Sequence, residues 1–195
     1  MQSEALNAVR VLFDNYPARY WIAGGWALDL FADRVRRPHA DVDVLVLARD
    51  LHHVADTFTT PRPTLENPNT GDTRPWMPGE TLTPGPDVLA FPDELFPAPV
   101  RIIFAASDGD DWVYHRGRGT IRKPLDEITL TNDLPYLAPE IVLLYKSRSD
   151  RPKDTEDFHD VVDLLTPARR AWLHAHIAPR HPDHPWLPAL DQPAP

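Results

Sequence analysis

The sequence predicts an α/β (α+β) fold, in which a mixed sheet is flanked by helices and followed by a small C-terminal helical part. A short apolar strand runs into Gly24-Gly25 and then into a helical pattern, and a β-branched run ends at Leu47. The last third of the chain repeats apolar residues at helical spacing. We therefore predict a domain over residues 1–135, with a proline-rich insertion at 59–99, and a helical region with a proline-rich tail over 136–195.

Five elements are predicted before the insertion. Ser3 is a candidate N-cap, because its hydroxyl can accept a hydrogen bond from the first helical turn. The elements are a helix over 3–16, a strand over Tyr20–Ala23, a helix over Trp26–Phe31, a strand over Asp41–Leu47 and a helix capped by Asp50 that runs to Phe58.

The insertion is rich in proline, which excludes a continuous helix and leaves short edge strands, expected around residues 76, 82 and 88. A second good strand covers Val100–Ala105. Asp108-Gly109-Asp110 is typical of a hairpin turn, so the strand over Trp112–Tyr114 is expected to pair antiparallel with the preceding one.

The C-terminal region is predicted to be helical. Pro139 is suited to a first helical position and opens a helix through Lys146. Asp154 with Asp157 resembles a capped start of a helix through Leu165, and Thr166-Pro167 starts another that ends near Ile177. In the tail from Pro179, Trp186 and Leu187 favour packing along a surface over metal binding by the nearby histidines.

Composition restricts the class of function. The 195 residues contain 20 basic and 29 acidic side chains, a net charge of -9 that argues against a broad grip on nucleic acid and favours a nucleotide or small-molecule partner. The absence of cysteine excludes disulfides and thiolate catalysis. We find neither a signal peptide nor an apolar run of ~20 residues, and so predict a cytoplasmic protein with no membrane partner.

The strand-to-helix turn at Gly24-Gly25 is a candidate phosphate site. Glycine lets the backbone approach a phosphate closely, and the amides at a helix N-terminus favour its charge. No Gly-Lys-Ser/Thr follows, which excludes a Walker-type loop, and two glycines alone are usually only a tight turn.

Asp41 and Asp43 are the candidate metal ligands. Residues two apart on a strand point to the same face about 6.6 Å apart, so both carboxylates can converge on Mg²⁺ while Val42 and Val44 face the core. An isolated Asp-x-Asp is more often only the solvated side of a strand. The glycine turn upstream, in this order, favours a site.

At this point the sequence resembles the nucleotidyltransferase superfamily, which has the DNA-polymerase-β-like fold. The stretch GGWALDLFADRVRRPHADVDVLV, residues 24–46, is similar to the corresponding part of bacterial aminoglycoside and lincosamide nucleotidyltransferases. Residues 110–114, the block LAPEIVLLYKSRSDRPKDTEDF at 137–158 and HPDHPWL in the tail resemble the same group. The insertion is the part that the resemblance explains least.

The resemblance implies an enzyme that transfers a nucleoside monophosphate from ATP or another NTP to a hydroxyl of a small molecule, with Mg²⁺ as cofactor. Asp41 and Asp43 would be catalytic and hold the metal, and Gly24, Gly25, Arg37, His39 and Lys146 would bind the nucleotide. Arg36 belongs to the same loop. For Lys146 a surface lysine whose stem covers the apolar stripe is an equally good interpretation, and Lys153, Asp154 and Asp157 are expected to cap and orient the next helix.

One position departs from the family pattern. Three carboxylates usually hold two metal ions there, and the third is expected on the strand from Val100, where Arg101 faces the acidic pair. Arg101 could replace one ion by pairing with Asp41 or Asp43, a nearby acid could fill the role, or catalysis could be lost. The candidate acids are Asp87, Asp108 and Asp110.

Three functions remain open from sequence. The first is the magnesium-dependent nucleotidyltransferase, for which the resemblance suggests an aminoglycoside-like or lincosamide-like acceptor. The second is a catalytically impaired relative that binds a nucleotide or a protein, which Arg101 keeps in consideration. The third is a toxin-type nucleotidyltransferase that modifies tRNA or protein, and the acidic charge argues against tRNA. The sequence argues against a serine hydrolase, because none of the serines lies on a Gly-x-Ser-x-Gly turn.

Overall fold

A computed structural model describes residues 4–67, 69–77, 79–92, 95–115 and 119–192. The predicted cap Ser3 lies outside these ranges. The helices are α1 (Glu4–Leu12), α2 (Gly24–Ala32), α3 (Leu51–Thr57), α4 (Leu125–Ile128), α5 (Pro139–Lys146), α6 (Pro152–Val161), α7 (Pro167–Ile177) and α8 (Leu187–Leu190). The strands are β1 (Tyr20–Ile22), β2 (Val42–Leu47), β3 (Thr64–Glu66), β4 (Thr73–Pro75), β5 (Val88–Ala90), β6 (Val100–Asp108), β7 (Asp111–Tyr114), β8 (Ile121–Pro124), β9 (Thr129–Thr131) and β10 (Pro135–Leu137).

The strands form a mixed sheet in the order β4-β3-β5-β6-β2-β1-β10-β9. β2 lies near its middle, antiparallel to β1 and parallel to β6. Its β-branched run is buried on both sides, which is why this strand gave the strongest sequence signal. The α/β prediction with a mixed sheet is confirmed.

The hairpin β7–β8 pairs with the far end of β6. Ser107 opposes Trp112 in antiparallel register, as the turn at residues 108–110 predicted. The hairpin therefore lies at the opposite end of β6 from Val100, which pairs with Val42 beside the acidic pair.

Two C-terminal helices match their predictions because local rules determine them. α5 starts at Pro139 and ends at Lys146, and α7 starts at Pro167. The Thr166 side chain accepts a hydrogen bond from the Arg169 backbone N–H, which is the capping interaction that the sequence indicated.

The strands expected around residues 76 and 88 correspond to β4, which ends at Pro75, and β5, which starts at Val88. The strand expected around residue 82 is wrong, because that residue belongs to no strand. Trp76 and Leu82 are nevertheless buried, at 2% and 6% exposure. Their apolar character reflects packing of loops into the core and not strand pairing.

The start of α6 is also corrected. The helix begins at Pro152 with Arg151 at the N-cap, so Asp154 lies inside the first turn and is not the cap. Asp154 and Asp157 are buried, and their carboxylates serve ion pairs within the protein.

The tail packs as predicted. Trp186 stacks on Phe158 with ring centroids 4.4 Å apart, and His184 Nε2 lies 2.9 Å from the Ser147 carbonyl oxygen. Across the described ranges, no helix has the length and apolar character needed to cross a bilayer.

Candidate active site

The backbone around β2 turns the acidic pair toward the glycine turn. Val42 and Val44 are fully buried, which leaves Asp41 and Asp43 on the opposite side of the chain. The Ala23 N–H donates to the Asp43 carbonyl oxygen at 2.9 Å, and Trp26 Nε1 donates to the Asp41 carbonyl oxygen at 3.1 Å. The backbone of both aspartates is thus anchored beside the start of α2.

Both glycines of the turn are required by close contacts. Gly24 has φ +60°, and a Cβ there would lie 2.7 Å from Asp43 Oδ2. A Cβ on Gly25 would lie 2.5 Å from two atoms of the His39 ring and 2.9 Å from Arg37 Nη2. The turn therefore brings the candidate phosphate-binding backbone against Asp43, Arg37 and His39.

Asp43 is held in an environment that disfavours its charge. Burial first, and then the charge of Asp41, raise its pKa to about 6, although Lys146, Arg101 and Lys153 act in the opposite direction. A half-buried carboxylate in this position is suited to receive a cation.

Arg101 faces the acidic pair, which confirms the predicted strand register. It is the β6 partner of Asp43, and its Nη1 donates to Asp41 Oδ2 at 3.1 Å. Its Nε donates to both carboxylate oxygens of Glu66 at 3.1 Å. Burial disfavours the charged guanidinium, but the hydrogen bond to Glu66 and the charges of Glu66 and Asp41 raise its pKa above the usual value. Arg101 therefore stays charged.

None of the three predicted substitute acids lies against the pair. Asp108 and Asp110 lie at the β6–β7 turn, at the other end of β6. The Asp87 carboxylate accepts a hydrogen bond from the Thr83 N–H. The acid next to Arg101 is Glu66 of β3. Sequence reasoning missed Glu66, because no local pattern distinguishes it from the other acidic residues of the proline-rich insertion.

A buried ion-pair network joins the loop after α2 to the C-terminal helices. Arg37 donates to both oxygens of Asp157 at 3.0 Å. Lys146 Nζ lies 2.7 Å from Asp154 and 2.8 Å from Asp157. Because Lys146 is buried, its interpretation as a snorkelling surface lysine is wrong.

Arg36 and His39 are bound to the same carboxylate. Arg36 Nε donates to Asp29 Oδ1 at 2.7 Å, and His39 Nε2 lies 2.6 Å from Asp29 Oδ2. The Arg36 side chain is 1% exposed, so it supports the loop from behind. The Arg37 side chain, in contrast, is 22% exposed, whereas that of His39 is 4% exposed.

The residues of the candidate site line one cavity of about 550 Å³. It contains every site residue predicted from sequence, namely Gly24, Gly25, Arg37, His39, Asp41, Asp43 and Lys146. Arg101, Glu66, Arg151 and Lys153 line it as well. A larger groove of about 940 Å³ in the insertion adjoins this cavity and shares Glu66 with it.

Comparisons with known proteins agree with this architecture. A family model for aminoglycoside-2''-adenylyltransferase matches residues 5–65, the part that carries the glycine turn and the acidic pair. No curated protein matches the sequence.

Several solved structures are similar to this protein over most of its chain. The lincosamide antibiotic adenylyltransferase LnuA, with lincomycin bound, shares 18% identity at a TM-score of 0.58 and covers 83% of this chain and 96% of its own. The antibiotic-resistance factor ANT(2'')-Ia in solution shares 12% identity at 0.60, covering 90% of each chain. Its crystal structure with adenylyl-2''-tobramycin shares 14% at 0.55, covering 89% of this chain and 95% of the other.

The chain therefore has the nucleotidyltransferase fold. The predicted resemblance to the aminoglycoside and lincosamide nucleotidyltransferases is confirmed.

Proposed function

We propose that this protein is a nucleotidyltransferase that moves a nucleoside monophosphate from ATP, or another NTP, to a hydroxyl of a small molecule. The observation that carries the proposal is the single cavity in which Asp41 and Asp43 face the Gly24-Gly25 turn, with Arg37, His39 and Lys146 around it. A triphosphate is bound by backbone amides, cationic side chains and a carboxylate-held metal, and the cavity has candidates for all three.

The reaction needs positioning and charge neutralisation rather than a covalent nucleophile. The acceptor hydroxyl oxygen bonds to the α-phosphorus, the bond from that phosphorus to the pyrophosphate oxygen breaks so that pyrophosphate leaves, and the hydroxyl proton passes to water. In our proposal the glycine turn holds the phosphates, and Arg37 and Lys146, fixed by Asp157, provide positive charge that does not have to reorganise.

The carboxylates fit a single magnesium ion. Carboxylate oxygens are the ligands that Mg²⁺ prefers, and the charge of the half-buried Asp43 is stabilised by a nearby cation. When bound, the ion supplies Lewis-acid polarisation of the phosphoryl oxygens. In the described part of the chain no group of three or more His, Cys, Asp or Glu side chains converges on one point, and the third position is taken by Arg101.

The acceptor is proposed from the comparisons. Lincomycin is bound in the LnuA structure, and tobramycin carries the adenylyl group in one ANT(2'')-Ia structure. We infer a hydroxylated small molecule of the aminoglycoside or lincosamide kind.

One observation favours a second candidate, a nucleotide-binding protein with impaired catalysis. Arg101 donates to Asp41, one of the two carboxylates that would hold the ion. If that contact persists with the nucleotide bound, the protein binds ATP without transferring from it.

Calorimetric titration with a non-hydrolysable ATP analogue, with and without Mg²⁺, tests the proposal. We expect magnesium-dependent binding, together with transfer of labelled AMP from ATP to tobramycin or lincomycin. Binding without transfer to a wider panel of hydroxylated acceptors would favour the impaired relative. No binding under either condition would reject both candidates.

The glycine turn gives a separate prediction. Gly25→Val places carbon atoms where the His39 ring and Arg37 Nη2 lie, so we expect the analogue to bind at least about tenfold more weakly, or the protein not to fold. Titration and thermal unfolding measure the two effects. Gln192→Ala is the control, because Arg170 contacts Gln192 through its backbone carbonyl oxygen, which the substitution leaves in place. A folded Gly25→Val protein with wild-type affinity would exclude the turn as the phosphate site.

A further inference from the structure

Arg101 lies between carboxylates that come from separate parts of the chain. Asp41 precedes β2, whereas Glu66 ends β3 in the insertion. β3 reaches β6 only through β5, so the Glu66 side chain extends across β5 to meet Arg101. The insertion thereby places an acid at the edge of the candidate active site.

Different nitrogen atoms of the Arg101 guanidinium contact the two carboxylates. Nε serves both Glu66 oxygens and Nη1 serves Asp41 Oδ2, all at 3.1 Å. The Glu66 side chain is 12% exposed and that of Arg101 is 25% exposed, so water solvates the pair only partly. A half-buried pair of this kind keeps its geometry better than a surface ion pair.

The charges at this site follow from these contacts. Sites that hold two divalent ions for displacement at phosphorus use the ions to neutralise several carboxylates at once. Here Asp41, Asp43 and Glu66 supply three negative charges. Arg101 supplies one permanent positive charge, and its guanidinium cannot act as a metal ligand. Arg101 therefore offsets part of the negative charge that a second ion would otherwise neutralise, and Lys146 and Lys153 of the same cavity act on Asp43 in the same direction.

We propose that Glu66 carries the third acidic position of this site and that Arg101 closes it, so that the site takes one divalent ion with the nucleotide instead of two. This inference rests on the proposed function. Glu66 acts through Arg101 and is a positioning residue in the native protein. It becomes available to a metal only when the guanidinium is removed.

The test counts bound Mn²⁺ by electron paramagnetic resonance, in the full-length protein, with and without a non-hydrolysable ATP analogue. The wild-type protein is expected to bind one Mn²⁺ per chain. Arg101→Met keeps much of the stem but removes the charge, and it is expected to raise the count to two. The double variant Arg101→Met/Glu66→Gln is expected to return it to one, and Glu66→Gln alone to leave it at one.

Glu80→Gln is the matched control. Glu80 pairs with Arg74 within the same insertion and lines neither cavity, so this change removes an equivalent pair while the count stays at one. Circular dichroism and thermal unfolding establish that each variant is folded.

Two ions in the wild-type protein would overturn the inference, and this count decides the matter even if Arg101→Met does not fold. A count that stays at one in folded Arg101→Met, or at two in the double variant, would exclude Glu66 as the third acid. Failure to bind the analogue would instead count against the proposed function, because the Mn²⁺ counts made without nucleotide test the inference separately.

Discussion

Asp43→Asn is expected to lower nucleotidyl transfer by on the order of 100-fold or more and to remove the magnesium-dependent part of the ATP analogue's affinity. Asparagine takes away one of the two carboxylates that face the glycine turn, and with it half of the negative charge of the pair. The fold should persist, because burial and Asp41 already oppose the charge of Asp43. The free energy of unfolding of the metal-free protein is expected to be unchanged or higher.

Asp41→Asn should give the same loss of transfer, while Arg101 keeps its contacts with Glu66. Asp110→Asn is the control, because Asp110 lies at the β6–β7 turn, outside the cavity. Wild-type transfer by a folded Asp43→Asn protein would mean that the metal ligands have been assigned to the wrong residues.

Asp157→Asn is expected to lower the free energy of unfolding by about 3 kcal/mol at pH 7, because it leaves buried cations without their partner. Asp157 is fully buried and pairs with Arg37, Arg36 and Lys146. Asp154 still pairs with Lys146, which keeps the effect at the lower end of what such losses cost. Denaturation with urea measures the difference.

The difference in free energy of unfolding between wild type and Asp157→Asn is expected to depend on pH. Burial alone would raise the pKa of Asp157, but hydrogen bonds from Arg37 and Lys146 outweigh it and hold the pKa well below the usual range. The stabilisation is therefore complete above the unfolded-state pKa near ~4 and is lost as the pH falls below it. The difference between wild type and Asp157→Asn should begin to shrink below about pH 4 and continue to shrink as the pH falls towards the folded-state pKa.

Glu156→Gln, an exposed change on the same helix, serves as the control and should alter neither quantity. A wild-type free energy of unfolding in Asp157→Asn would show that the network does not stabilise the fold.

The sequence by itself determined the features that depend on neighbouring residues. Pro139 and the Thr166-Pro167 pair set the starts of α5 and α7, because capping and the fixed φ of proline act within one turn. The β-branched run identified β2, and alternation along that strand put Asp41 and Asp43 on one side, beside a turn that only glycine fits.

The same alternation on β6 correctly turned Arg101 toward the acidic pair. The strand expected around Leu82 is wrong because this residue is buried from a loop, and burial without strand pairing gives no repeating pattern in the sequence.

Only the tertiary structure decided which charges meet. Glu66 reaches Arg101 because β3 joins the sheet through β5, and the pairing order of three short strands in a proline-rich segment has no local signal. Asp154 and Asp157 looked like capping residues, yet they pair with Lys146 on the preceding helix, and Asp157 also pairs with Arg37, which lies far away in sequence. A carboxylate in a sequence is equally suited to a cap, a solvated surface or an ion pair. Its role is fixed by which cation the fold brings to it and by how much water remains between them.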